Sequence, residues 1–139
     1  MCIRDSLRAD PGLVPTAVEE LIRYDSPLQL FERTATADTV VGDVTVEAGS
    51  KIAALLGAAN RDPSVFQRPD DFDVTRADNP HLGFGAGIHF CVGAPLARVE
   101  LQASLHTLLA RFPDLALHAR PEQRPEFVLR GVRSLPVTI

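Results

Sequence analysis

The sequence predicts an α+β domain that is mainly helical, with a smaller β part. Two segments, residues 10–24 and residues 95–112, carry apolar residues at helical spacing. Between them, residues 39–56 combine short apolar runs with turn residues, a pattern typical of strands. The chain of 139 residues, 45% hydrophobic and 23% charged, is long enough for one domain with a core of ordinary size.

The first predicted helix, residues 10–24, has an apolar stripe formed by Val18, Leu21 and Ile22. The helix ends before Pro27, because a proline disfavours helical geometry in the residue that precedes it.

The β part begins with a predicted hairpin. Its strands, Thr39–Val41 and Val44–Val46, flank Gly42 and Asp43, although Gly-Asp is a weaker turn signal than Asn-Gly. The following apolar run, residues 51–56, predicts a buried strand.

A long irregular segment, residues 60–80, separates the strands from the second helix. It contains three prolines and five aspartates, which predicts coil with one short helical turn at residues 63–66. Loops of this length are uncommon in small domains and often carry function.

The second helix is the stronger prediction and runs from Pro95 until Pro113 stops it. After it, residues 126–139 predict a strand, a turn at Gly131 and a second strand. The apolar face of the helix consists of Ala97, Leu101, Leu105, Leu108 and Phe112.

Composition excludes several classes of protein. The net charge of −4 and the dispersed basic residues give no footprint for nucleic acid. The longest apolar run, residues 52–59, is too short to span a bilayer. Cys2 and Cys91 lie far apart, which predicts no disulfide and a reducing, cytoplasmic location.

The segment "HLGFGAGIHFCVG", residues 81–93, concentrates the chemistry of the chain. Cys91 lies four residues before Pro95, just ahead of a predicted helix N-terminus, where the helix dipole favours a thiolate. Glycines, which have no side chain, and apolar side chains there allow a bulky partner to approach closely. The residues that supply them are Gly85, Gly87, Gly93, Phe84 and Phe90.

From the loop alone, four interpretations stay open. Cys91 is an axial ligand of haem iron, a nucleophile paired with His89, a zinc ligand, or a buried free cysteine in a tight turn. Only His81, His89 and Cys91 are local, fewer than the four ligands of structural zinc. The alternating glycines do not fit the dinucleotide fingerprint, so a phosphate loop is excluded.

Residues 84–98, "FGAGIHFCVGAPLAR", resemble the haem-binding signature of the cytochrome P-450 superfamily, Phe-Gly-x-Gly-x-His-x-Cys-x-Gly followed by Leu-Ala-Arg, at every fixed position. Three further segments are similar to the family and follow its order: "EELIR", "ANRDPSVFQRPDDFDVTR" and "RGVRSLPVTI". The resemblance implies that residues 7–139 are the C-terminal third of the single cytochrome P-450 domain. Residues 1–6 do not resemble the family, and we expect them to be a foreign or mis-joined start.

The resemblance also implies roles for individual residues. Cys91 is the proximal thiolate ligand of the haem iron, whose electron donation favours O–O cleavage. His89 and Arg33 hold the haem propionates, and Phe84 packs near the thiolate. His81 is interpreted as an ordinary loop histidine. The remaining cofactor-binding residues implied are Gly85, Gly93 and Ala97.

Two more sets of residues follow from the resemblance. Glu20, Arg23 and Arg76 form a structural ion network, although a Glu/Arg pair at this helical spacing is ordinarily a solvated surface pair. The segments implied to contact substrate contain Leu28, Gln29, Phe31, Val128 and Leu129.

The function implied is that of a haem-thiolate monooxygenase of the soluble bacterial type. Such an enzyme contains haem b, takes NAD(P)H electrons through a ferredoxin or similar partner, and inserts one oxygen atom of O2 into a small organic substrate. The family's long central helix, whose acid–alcohol pair relays protons to bound dioxygen, has no counterpart here. We therefore expect the 139-residue chain alone to be inactive, and a non-catalytic haem-binding fragment is the alternative.

Overall fold

A computed structural model describes residues 3–139. The helices are α1 (Ile3–Ala9), α2 (Val14–Tyr24), the single-turn α3 (Leu56–Ala59) and α4 (Ala94–Arg111). The strands are β1 (Leu30–Thr34), β2 (Thr39–Val41), β3 (Val44–Val46), β4 (Lys51–Leu55), β5 (Ala116–Leu117), β6 (Glu122–Gln123), β7 (Val132–Ser134) and β8 (Val137–Thr138). Short 3-10 turns occupy Pro11–Leu13 and Gly87–His89. This content confirms the predicted α+β class.

Helix α2 provides most of the core, and its predicted position is confirmed. Val18 and Ile22 are buried, as the stripe predicts, whereas Leu21 is partly exposed and lines an open apolar groove between α1, α2 and α4. The core cluster consists of Leu7, Val14, Ala17, Val18, Ile22 and Val74.

Helix α4 also forms where the sequence predicts it, but its apolar face was only partly identified. Leu105 packs against the core together with Leu109, which the prediction omitted. Leu101 and Leu108 are partly exposed, and Leu108 lines the same apolar groove as Leu21. No helix within residues 3–139 is long and apolar enough to cross a membrane.

The strands form four separate two-stranded antiparallel sheets. The predicted hairpin is confirmed, with Val41 opposite Val44 in the β2–β3 register. Strand β1 pairs with β4, β5 with β8, and β6 with β7.

Two expectations for the β part were wrong. Strand β4 is mostly exposed rather than buried, because its two-stranded sheet has no second layer over it. Residues 126–130, predicted to form the first strand, form none, and Leu129 makes an isolated bridge with Leu28. Strands β7 and β8 pair instead with strands further back along the chain.

The long segment 60–80 is irregular, as predicted, and each of its halves contributes a buried side chain. The expected turn at residues 63–66 is a single turn in which the Phe66 amide donates to the Asp62 carbonyl at 2.9 Å. Phe66 and Val74 are buried, so this segment packs across α2 rather than hanging free.

Candidate functional site

Cys91 lies on the loop that connects the irregular segment to α4. Its amide donates to the Phe84 carbonyl at 2.9 Å, and its own carbonyl accepts from the Ala94 amide at 3.2 Å. The thiol is free and exposed. The cysteine is therefore held by its backbone immediately before the first turn of α4, with its sulfur left available to a ligand.

The glycines shape this loop in two ways. Gly85 and Gly87 have φ angles of 74° and 63°, a region that side-chain-bearing residues rarely adopt. A Cβ on Gly85 would also lie 3.4 Å from Phe31 Cε2 and 3.5 Å from the His89 carbonyl oxygen. The loop therefore packs closely against β1.

The surroundings of the thiol are apolar and open. Ile88 and Val92 are each 98% exposed, and Phe90 is half exposed. The Phe84 ring lies 6.4 Å from the Phe90 ring in an edge-on arrangement. A soft sulfur ligand within an uncovered apolar surface fits a large, flat, hydrophobic cofactor.

An arginine and a histidine lie near this surface. Arg33, on β1, stacks over the Phe31 ring at 5.2 Å and donates to the Glu32 carbonyl at 2.8 Å. The exposed His89 belongs to the 3-10 turn that precedes Cys91. Within residues 3–139, neither side chain has a carboxylate partner, so both remain available to an anion.

The other chemistries considered for the loop lack support in the described residues. No group of three His, Cys, Asp or Glu side chains within residues 3–139 is arranged to hold a metal ion. No hydrogen bond joins Cys91 to His89 in that part of the chain, and His81 is paired with Glu19 instead. The buried-cysteine interpretation conflicts with the exposed thiol.

Glu20, Arg23 and Arg76 lie together below the loop. Arg23 donates to both Glu20 oxygens, from Nε at 2.7 Å and from Nη2 at 2.8 Å. Arg76 Nε donates to Glu20 Oε2 at 3.1 Å. The Glu20 and Arg23 side chains are 0% exposed, so this is no solvated surface pair.

Glu20 is ionised within this network. Burial opposes its ionisation, but the hydrogen bonds from Arg23 and the Asp73 amide outweigh it. The charges of Arg23 and Arg76 act in the same direction, so the pKa of the Glu20 carboxyl lies below its usual range. The network therefore joins α2 to the irregular segment through a buried charge.

The segments named as substrate contacts lie side by side. The Gln29 amide donates to the Val128 carbonyl at 2.9 Å, and Leu28 forms the bridge to Leu129. Phe31 follows on β1 next to Gly85. The structure thus brings these five residues to one region beside the cysteine loop.

Ala97 and Gly93 lie at the start of α4. The Ala97 amide donates to the Gly93 carbonyl at 2.9 Å, the first intrahelical bond of this turn. A Cβ on Gly93 would lie 3.7 Å from Cys91 Sγ, an ordinary contact distance, so Gly93 keeps the approach to the sulfur open.

Sequence reasoning missed several residues that hold the loop. Asn60 is fully buried: its Nδ2 donates to Ser26 Oγ at 2.7 Å, and its Oδ1 accepts from the Leu82 amide at 2.7 Å. His81, expected to be an ordinary loop histidine, bonds Glu19 at 3.0 Å. The sequence did contain one signal for this contact, because Glu19 directly precedes Glu20. Adjacent carboxylates on a helix point in different directions and therefore bond different partners.

The sequence profile of the family described as Cytochrome P450 matches residues 3–135. The chain belongs to the cytochrome P450 family. It is 50% identical over 133 residues to the Biotin biosynthesis cytochrome P450 of Bacillus subtilis (strain 168), a match that covers 95% of this chain and 34% of that protein. It is 52% identical over 138 residues to Nocardicin C N-oxygenase of Nocardia uniformis subsp. tsuyamanensis, with 95% and 34% covered.

Solved structures agree with the family assignment. P450BioI in complex with hexadec-9Z-enoic acid ligated acyl carrier protein superimposes with a TM-score of 0.93 at 50% identity, covering 96% of this chain and 35% of that one. The chain therefore spans about a third of the length of the cytochromes P450 that it matches.

Proposed function

We propose that this chain forms the haem-thiolate part of a bacterial monooxygenase, which inserts one oxygen atom of O2 into a small organic substrate. The observation that carries the proposal is the exposed, free thiol of Cys91 on its glycine loop, immediately before α4. Relatives named as an N-oxygenase and as biosynthetic cytochromes P450 support the same reaction class.

Cys91 would be the axial ligand of haem b. Its sulfur lies immediately before the first turn of α4, and the apolar side chains around it suit a porphyrin face. Haem b, when bound, supplies the iron at which O2 is reduced, and thiolate ligation favours O–O cleavage. The contribution of the loop is to hold the sulfur by its backbone, while Phe84, Gly85, Gly93 and Ala97 bound the cofactor.

Arg33 and His89 would bind the haem propionates. Both are exposed cations or potential cations beside the loop, and a charge-assisted hydrogen bond to a carboxylate is stronger than a neutral one. Binding both propionates would fix the rotation of the porphyrin within its plane.

The substrate would lie against the paired segments that contain Leu28, Gln29, Phe31, Val128 and Leu129. Electrons would come from NAD(P)H through a ferredoxin or similar redox partner at the surface near Cys91, in the cytoplasm. The alternative is a non-catalytic haem-binding fragment.

The decisive test is the spectrum of the haem-reconstituted, reduced protein with carbon monoxide. We expect the strongly red-shifted Soret band of a thiolate–iron–CO complex, and its complete loss in Cys91→Ala. Cys2→Ala, which removes the other cysteine, is the matched control and leaves the band unchanged. An imidazole-type spectrum, or a red-shifted band that survives Cys91→Ala, contradicts the proposal.

A second measurement separates the enzyme from the binding fragment. With NAD(P)H, a ferredoxin reductase and a ferredoxin supplied, a monooxygenase consumes O2 in a substrate-dependent manner. A haem-binding fragment gives the same spectrum and no such consumption.

A further inference from the structure

Glu19 joins both ends of the cysteine loop to helix α2. His81, at the start of the loop, places its Nε2 3.0 Å from Glu19 Oε2. Arg98, on α4 after the loop, donates from Nε to Glu19 Oε1 at 2.7 Å and from Nη2 to Oε2 at 2.8 Å. One carboxylate therefore binds residues on either side of Cys91.

The hydrogen bonds of His81 require an acceptor at Glu19. The Gly83 amide donates to His81 Nδ1 at 3.1 Å, so Nδ1 carries no proton. The proton of the neutral ring is therefore on Nε2, which donates to Glu19. The His81 side chain is only 3% exposed, so water does not substitute for this partner.

Arg98 extends the connection to Cys91. Its guanidinium carbon lies 4.7 Å from the centroid of the Phe84 ring, in a cation–π contact. The Phe84 carbonyl accepts the Cys91 amide hydrogen at 2.9 Å. Side-chain and backbone contacts thus run without interruption from Glu19 to the cysteine.

We propose that Glu19 is a positioning residue for Cys91: through His81 and Arg98 it holds the cysteine loop against α2 and fixes the sulfur relative to the haem iron. This inference rests on the proposed function, in which Cys91 is the iron ligand. The role differs from that of the adjacent Glu20, whose hydrogen bonds within residues 3–139 run to Arg23 and to the irregular segment.

Ionised Glu19 is suited to this role. The hydrogen bond from Arg98 outweighs the effect of burial and, with the hydrogen bond from His81 and the charge of Arg98, holds the pKa of Glu19 below its usual range. A glutamine has one acceptor and one donor group at these positions. If its NH2 takes the place of Oε2, it meets the donors His81 Nε2 and Arg98 Nη2; if reversed, it meets the donor Arg98 Nε.

The test compares Glu19→Gln with Glu100→Gln, which removes the same charge from an exposed position on α4. Amide hydrogen exchange is measured first, in the haem-free protein. We expect exchange of the Gly83 and Cys91 amides to accelerate about tenfold or more in Glu19→Gln, while amides of the α2 core keep their rates. Glu100→Gln leaves all of these rates unchanged.

The haem-loaded protein gives the second readout. In Glu19→Gln we expect a smaller thiolate-type fraction of the CO complex and a shifted iron reduction potential, at temperatures where unfolding curves show the variant folded. Arg98→Lys, which retains the charge but loses the bidentate fork, should lie between Glu19→Gln and the parent protein.

The outcomes distinguish the inference from the proposed function. Glu19→Gln with parental exchange rates, CO spectrum and potential overturns the positioning role, even if its unfolding temperature falls. Accelerated loop exchange with an unchanged spectrum and potential also overturns it, since Glu19 then holds the loop without fixing the position of the sulfur. Loss of the thiolate band in the parent protein itself overturns the proposed function instead.

Discussion

The surroundings of Glu20 and the surroundings of Cys91 are built in opposite ways, although Asn60 and Glu19 connect them within a short distance. Every oxygen of Glu20 is occupied by donors of the chain, and its side chain is fully buried. Cys91 has its backbone bonded and its sulfur free. This chain therefore pairs its buried charges with one another close to a site whose sulfur remains free for a ligand.

Removing the buried charge is expected to have the largest effect on stability. Glu20→Gln leaves Arg23 buried without a counter-charge, so the free energy of unfolding should fall by about 3–5 kcal/mol. Urea or guanidinium denaturation measures it. Glu122→Gln, which breaks an exposed pair with Arg133, is the matched control and should change stability by about 1 kcal/mol or less. Equal losses in the two variants would refute the difference between the regions.

Asn60→Ala is expected to have the next largest effect, because Asn60 joins the two regions. The substitution leaves the partly buried Leu82 amide without its acceptor, at a cost of about 1–3 kcal/mol, while Ser26 Oγ loses the Asn60 donor but keeps its bond to the Ile22 carbonyl. Faster exchange of the Leu82 amide should accompany the loss of stability. A stable variant with unchanged exchange at Leu82 would show that the bridge is not needed.

Lowering the pH is expected to reduce the free energy of unfolding least and most gradually. It acts first by protonating the carboxylates. The pKa values of Glu19 and Glu20 are lowered in the folded state, so their contribution is fully present above the unfolded value, about 4.3 for glutamate. It is lost as the pH falls below that value toward the folded pKa values. Unfolding free energy measured against pH should therefore decrease in this window, and less steeply in Glu20→Gln. An identical slope in the variant would exclude Glu20 as a contributor.

The elements predicted correctly are those with local signals. Helices α2 and α4 have apolar residues at helical spacing and a proline near each end, and the β2–β3 hairpin joins its strands through two residues. The pairs β1–β4, β5–β8 and β6–β7 join strands distant in sequence, so periodicity alone does not reveal them. The exposure of β4 depends on the number of layers, which the sequence of one strand does not contain.

The same distinction, between features with a local signal and features that depend on distant segments, applies to the candidate site. The cysteine loop was identified from its motif, since all residues of the motif lie in one continuous segment of chain. Asn60 and the Glu19–His81–Arg98 contacts depend on where the irregular segment and α4 cross α2. The partner of His81 was not predicted, because a single histidine in a glycine-rich segment gives no indication of a partner 62 positions earlier.

The hydrogen bonds of Glu20 also set an order of events during synthesis. Its donors at Asp73, Arg76 and Asn79 lie 53, 56 and 59 positions downstream. At about 5–20 residues per second, the ribosome needs roughly 3–12 seconds to deliver the last of them. During this interval the carboxylate has only Arg23 as a partner and stays in water. The buried network around Glu20 therefore cannot be completed until the irregular segment has been made.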